Sequence, residues 1–249
     1  MNSKNLTVCK SNSVIEASFR LSLNEQRAIL FCISQANSIN ALLETDEFEL
    51  SAKDFSTVYG VSKDVAYNEL QDVAKTLYQR SLTIESPYPN RPKIKKIETR
   101  WISSISYMPE DGKIILRFAK DILPFLSLLK GQFTRYKLES ISGMKSGYGI
   151  RLYEILMQWV KTGRREVELD WLRQQLQLDS SYNRMDNLKA RVIEPAVADI
   201  NTYSNLHVTW TQRKTGRRVT HINFEFKEKK PIAPAKAKAE TSNVPSSFA

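Results

Sequence analysis

The sequence has little with which to do covalent chemistry. Two histidines, His207 and His221, and two cysteines, Cys9 and Cys32, are all it contains of either type. Two thiols make no disulfide framework and read as reduced cysteines of a cytoplasmic protein. A zinc site needs clustered ligands, and Cys9 and Cys32 lie far from both histidines. A nickase using two metal-binding histidines one residue apart is excluded by the same spacing. A phosphate loop needs Gly-x-x-x-x-Gly-Lys-Ser/Thr. The nearest stretch, Gly143-Met144-Lys145-Ser146, lacks the glycine before the lysine. Acidic pairs such as Asp46/Glu47 and Glu166/Glu168 have no partner cluster and read as surface charge. The expectation is a protein with no catalytic residue, no metal and no cofactor. Long apolar runs are missing too. The longest, Ile122 to Leu129, is far short of the roughly 18–20 residues of a spanning helix. The first residues show no apolar core of a secretory signal, so a cytoplasmic protein without membrane contact is expected.

What the 249 residues do have is positive charge and enough apolar surface for a core. Lys and Arg number 37 against 27 Asp and Glu, a net +10, with 41% hydrophobic and 10% aromatic residues. Such a balance makes a polyanion the first partner to consider. The excess is uneven: residues 1–130 carry 17 basic and 15 acidic side chains, residues 131–230 carry 18 and 11. In the second part it gathers at Arg213, Lys214, Arg217 and Arg218, around a turn at Lys214-Thr215-Gly216. The first part has a comparable cluster in Arg91, Lys93, Lys95, Lys96 and Arg100.

A weak duplication of about 120 residues organises the chain. Phe48-Glu49-Leu50-Ser51 recurs as Val167-Glu168-Leu169-Asp170, each leading into a short amphipathic helix, with Ser51 and Asp170 read as N-caps. Turns at Tyr59-Gly60-Val61-Ser62 and Leu176-Gln177-Leu178-Asp179 open a longer helix, in which Leu70 matches Leu188. Leu82-Thr83-Ile84 matches Leu206-His207-Val208 as the following strand, and a basic hairpin closes each copy. Upstream, a helix from Leu23 with a Ser22…Glu25 capping box matches one at Arg151 to Val160. That order is a helix-turn-helix with a β-wing, whose third helix reads the DNA major groove. The fold expected is α+β, two pseudo-repeated winged-helix domains.

Each long helix has an apolar stripe, Ala66, Leu70, Val73 and Leu77 in one, Leu188, Val192, Ala196 and Ile200 in the other. Pro195 should bend the second. Opposite the second stripe lie Arg184, Asn187 and Arg191, types that fork onto guanine and adenine edges. The first helix offers Lys63, Asn68, Gln71 and Lys75, a weaker set, so the second copy is expected to carry more of the specificity. Phosphate contacts fall to Lys93, Lys95 and Lys96 in one hairpin and to Arg213, Lys214, Arg217 and Arg218 in the other. Four glycines between Gly131 and Gly149 mark the joint, with Phe133 to Leu138 as a strand in it. The chain then divides into a flexible N-terminus (1–14), two winged-helix domains (15–132 and 133–227) and a disordered Ala/Lys/Pro tail (228–249).

Several blocks in order carry a family resemblance. They are Leu21-Ser22-Leu23-Asn24-Glu25-Gln26-Arg27, Phe133 to Leu138, Gly149-Ile150-Arg151-Leu152-Tyr153-Glu154-Ile155-Leu156, Ser181-Tyr182-Asn183-Arg184-Met185, Ile193-Glu194-Pro195-Ala196 and Asp199-Ile200-Asn201. From about Leu21 to Phe226 the chain resembles the iteron-binding plasmid replication initiators with two winged helices, typified by that of the F plasmid. The resemblance implies a protein that clamps one short double-stranded repeat (iteron) from two successive major grooves. It implies monomers that bind origin iterons and open an AT-rich region with the host replication initiator, and that recruit the replicative helicase. It also implies dimers that bind an operator inverted repeat and repress their own promoter, with host chaperones shifting dimer to monomer. Arg184, Lys189 and Arg191 fall on the family's DNA-contacting helix. Ala190 stands where the F-plasmid protein has the middle arginine of a triplet, which implies a different iteron. A winged-helix transcriptional repressor without an origin role shares the same DNA-binding physics.

Overall fold

The computed structural model describes residues 6–36, 40–88, 90–129 and 131–229. It opens on a strand, β1 (Thr7–Ser11), and a helical turn, α1 (Asn12–Ile15). The first half then runs α2 (Leu23–Gln35), β2 (Phe48–Ser51), α3 (Ala52–Tyr59) and α4 (Lys63–Thr76). Strands β3 (Ser81–Glu85), β4 (Lys96–Arg100), β5 (Ile102–Met108) and β6 (Lys113–Phe118) follow. Two of its caps, at Ser22 and Ser51, are those the sequence announces. Ser22 and Glu25 form a reciprocal capping box on α2, and Ser51 and Ser62 cap α3 and α4.

After β7 (Phe133–Lys137) and a short α5 (Glu139–Ser142), the pattern returns. It comprises α6 (Gly147–Met157), β8 (Arg164–Glu168), α7 (Leu169–Gln175) and a long helix built from α8 (Met185–Leu188) and α9 (Glu194–Tyr203), then β9 (Leu206–Thr215) and β10 (Arg218–Glu228). Here the N-cap of α7 is Glu168, with no side-chain cap bond. Asp170, read as the cap, instead pairs with Arg173 at 2.7 Å. Between α8 and α9 a π-helical segment spans Lys189–Ile193, with the Glu194 N–H reaching back to the Lys189 carbonyl. Pro195 has no N–H to give to Arg191, so the expected bend is taken up as a widened turn. The apolar stripe steps by four residues each time, a period that such a turn accommodates. Leu188, Val192, Ala196 and Ile200 are all buried.

The two sheets show how the copies correspond. Strand order β2-β6-β5 in the first half repeats as β8-β10-β9 in the second. The wing of the first half is therefore β5–β6, and Ile102 onward, not Leu82-Thr83-Ile84, matches Leu206-His207-Val208. Hairpin β3–β4 pairs from Ser81↔Arg100 to Glu85↔Lys96, touches the rest of the backbone through a bridge between Thr83 and Ser18, and has no counterpart among the described residues of the second half. Both β3 and β5 follow the long helix as alternating strands, so periodicity cannot choose between them.

From Thr7 onward the N-terminal segment is not a free arm. Strand β1 pairs antiparallel with β7, Thr7↔Lys137 to Ser11↔Phe133, and Val8, Cys9 and Lys10 are buried. Lys10 Nζ lies 2.6 Å from Glu154 Oε1, which also accepts a 2.5 Å hydrogen bond from the Tyr136 hydroxyl. Burial lowers the Lys10 pKa and outweighs the opposing pull of Glu154. A lysine on a short strand hides its partner, which stands far along the chain on α6. The boundary placed at 132/133 therefore falls at a strand that the N-terminal segment completes. At the other end Glu228 closes β10, and Lys229 Nζ donates to the Asn201 and Ser204 carbonyls. The rest of the expected tail, 230–249, lies outside the described residues. Among the described residues no helix is long and apolar enough to cross a membrane.

Candidate nucleic-acid interface

In the second half the exposed side of the long helix carries Arg184, Lys189 and Arg191. Arg184, the N-cap of α8, is 3.9 Å from Asp186. Lys189 is 3.5 Å from Glu194 and faces the Trp210 ring at 6.0 Å. Arg191 makes no ion pair with any described residue. Asn187 is different: half-buried, its amide donates at 2.9 Å to the Ser181 carbonyl. It belongs to the turn before the helix as much as to the helix face.

The β9–β10 hairpin projects past β8, with every residue from Thr211 to Arg218 exposed and Gly216 in the left-handed conformation at φ 62°. Its cations are unequal. Arg213 forks onto Glu166 with bonds of 2.7 and 2.9 Å, and that contact holds the Glu166 carboxyl below its ordinary pKa. Arg218 is 4.0 Å from Asp170. Lys214 and Arg217, at the tip, have no acidic partner among the described residues. Asp170 faces Arg173 with one oxygen and Arg218 with the other, which ties the wing to the helix–turn–helix.

The first half is electrically weaker. On α4 Lys63 and Asn68 are exposed, Gln71 is half-buried, and Lys75 is 3.1 Å from Asp72. Its wing tip is Pro109-Glu110-Asp111-Gly112, acidic where the second wing is basic. The cations expected on that wing, Lys93, Lys95 and Lys96, sit on the β3–β4 hairpin, exposed and without ion pairs among the described residues.

Between the halves lies a cleft of about 510 Å³ lined by Arg20, Leu23, Arg80, Tyr148, Arg151 and Leu176 among others. Polar contacts in and around it join and brace the halves. Arg151 stacks on Phe19 at 3.6 Å and donates to the carbonyls of Ile15 and Ala17. Its burial lowers the guanidinium pKa to about 10. From α2, Gln26 donates to Gly147 and Arg27 to Met144, and the Tyr59 hydroxyl donates to the Arg27 carbonyl. Asp199 accepts from the N–H groups of Lys145 and Ser146 at the start of α6. A Cβ on Gly149 would come 3.0 Å from the Asp199 side chain, so a larger residue there would press on that contact. Asn201 exchanges a donor and an acceptor with the Val208 backbone. Most sequence blocks that carry the family resemblance are thus parts of the joint and its supports. Among the described residues no group of three or more His, Cys, Asp or Glu is placed to hold a metal.

Comparison with known proteins agrees with this architecture. Residues 7–157 match the family model described as Initiator Replication protein, WH1, and residues 168–226 match Initiator Rep protein, WH2. The chain is 27% identical to a replication initiation protein of Escherichia coli, over 88% of this chain and 69% of that one. It is 21% identical to the PI protein of Escherichia coli, over 83% and 78%. A crystal structure of the Pi initiator protein in complex with iteron DNA shares the fold, with a TM-score of 0.76 at 20% identity, covering 91% of this chain and 98% of that one. With both winged-helix parts present in order and the first model alone spanning more than half its length, this chain belongs to the initiator replication protein family.

Proposed function

We propose that this protein starts plasmid replication by binding a short repeated duplex sequence at an origin, its two halves, taken as 15–132 and 133–227, reading successive major grooves. The observation that carries the reading is a pair of winged helices joined by buried contacts, one of which presents Arg184, Lys189 and Arg191 on its long helix beside a basic wing tip. Base reading is assigned to Arg184 and Arg191, with Lys189 on a phosphate. Lys214 and Arg217 hold the backbone beside the groove, assisted by Arg218, and Arg213 contributes less because Glu166 already holds it. Asn68, Gln71, Lys63 and Lys75 make the weaker set on α4. Lys93, Lys95 and Lys96 add an accessory phosphate contact from the β3–β4 hairpin. The protein acts by binding and by recruiting the host initiator and replicative helicase, with no catalytic step of its own. A dimer on an operator inverted repeat, opposed by chaperones, would supply autorepression.

Two measurements test this. The protein should prefer a duplex carrying the tandem repeats beside its gene over a random duplex, and should support replication of an origin plasmid in trans. Failure of the second leaves a repressor. The salt dependence tests the two-halved grip: log K against log[salt] should fall with a slope of roughly −6 to −10, about −0.9 per phosphate neutralised. A slope near about −2 would mean that only one half engages the DNA.

A further inference from the structure

The turn that leads into the second long helix is unlike its counterpart. In the first half only residues 60–62 separate α3 from α4, with Gly60 at φ 65° and Ser62 as the cap. In the second half residues 176–184 intervene. Ordering so long a connection costs backbone entropy, and its last residue is Arg184 itself.

Two side chains from outside the turn hold its last stretch. Arg173, on α7 and only 14% exposed, donates its Nε to the Tyr182 carbonyl at 3.1 Å and its Nη2 to the Asn183 carbonyl at 3.3 Å. Asn187, on α8, donates to the Ser181 carbonyl at 2.9 Å. Three successive carbonyls are thereby held. Asp170 takes the remaining arm of Arg173 at 2.7 Å, and Asp179 accepts from the Ser181 N–H at 2.9 Å.

We propose that Arg173 and Asn187 are positioning residues for DNA reading, which fix the backbone at 181–183 so that Arg184 leaves it aimed at a base edge. This rests on the function proposed above and goes beyond it. Neither residue needs to touch DNA. A forked contact to a base works only when its bearer is held to within about 0.5 Å, and a turn supported only by its own backbone would not meet that. Arg173 is suited to the task because a planar fork spans two adjacent carbonyls, which a lysine cannot do. Asn187, whose type invites the reading of an adenine contact, is oriented by the turn instead.

The test uses the full chain on the repeat duplex and on a random duplex. Arg173→Lys, Arg173→Ala and Asn187→Ala should each weaken repeat binding about tenfold or more, the scale of a single forked base contact, with random-duplex binding and salt slope unchanged. In an Arg184→Ala background these losses should largely vanish, as expected for residues acting through one group. Single-base changes in the repeat should show Asn187→Ala losing discrimination at the same positions as Arg184→Ala. Losses that add to that of Arg184→Ala, or a base position read by Asn187 alone, would overturn the proposal. So would equal weakening on both duplexes. Should Arg173→Ala fail to fold, Arg173→Lys and Asn187→Ala decide the matter. A wild-type protein that prefers the repeats while Arg173→Lys behaves identically overturns the brace alone; one with no preference overturns the replication reading beneath it.

Discussion

At the scale of single residues, Gln177 is one of four non-glycine residues in the left-handed region among those described. It adopts φ 47° in the turn after α7, a conformation that Gly60 takes in the first half at φ 65° without a side-chain penalty. Its side chain is exposed. Gln177→Gly should therefore stabilise the protein by about 0.5–1 kcal/mol, read as a higher unfolding midpoint. An unchanged or lower midpoint would show that the added freedom of the unfolded chain outweighs the strain. Glu25 offers a second test. Burial works to raise its carboxyl pKa, but hydrogen bonds from Arg80, Thr76 and the Ser22 N–H outweigh it and leave the value below the ordinary one. A carboxyl depressed in the folded state stabilises fully above its unfolded value, about 4.3, and loses that contribution as pH falls through the folded value. The midpoint advantage of the wild type over Glu25→Gln should thus be present at about pH 6 and shrink below about pH 4. A constant difference would refute it. Residues such as Glu25 were legible in the sequence because the partner in the capping box is three positions away. Lys10 was not, because nothing local announces Glu154.

At the scale of elements, the two wings make opposite predictions. The tip of β9–β10 is Thr215-Gly216-Arg217 and the tip of β5–β6 is Pro109-Glu110-Asp111-Gly112. Lys214→Ala with Arg217→Ala should weaken repeat and random duplex alike and flatten the salt slope by about 2, roughly one for each phosphate that is no longer neutralised. Glu110→Ala with Asp111→Ala should leave binding intact or tighten it. Weaker binding by the second pair would mean that the acidic tip takes part in recognition. The helices and their order were readable from capping residues and apolar stripes, both local signals. The wing of the first half was not, since β3 and β5 alternate equally well and only pairing distinguishes them. Nor does sequence alone reveal that the Asn187 amide is spent on the Ser181 carbonyl, since both residues sit in a polar stretch with no local signal of the bond.

At the scale of the whole molecule, the long helix of the second half has two ends with different attachments. Arg184 stands at its start. Near its finish Asp199 holds the backbone N–H groups of Lys145 and Ser146 just before α6, and Tyr203 packs so closely on Gly143 that a Cβ there would lie 2.6 Å from its ring. From α6 the path continues through Arg151 and Glu154 to the N-terminal segment, and meets Gln26 and Arg27 of α2. These last four side chains are buried, and so is Lys10, which Glu154 holds, so the two halves have little slack between them. The molecule is in this sense a ruler, graduated in base pairs. One pair inserted between the two halves of a repeat turns the far half by about 34–36° around the helix axis. A tether would follow that rotation, whereas this joint has to break contacts to do so. Adding or deleting a single pair at the centre of the repeat should cost nearly as much affinity as removing one half-site, and adding a full turn of about ten or eleven should not restore it, because the joint cannot stretch by about 34 Å. Binding that tolerates the insertion would show that the halves hinge. On the two-groove grip proposed above, a joint of this kind selects repeats by their spacing before any base is read.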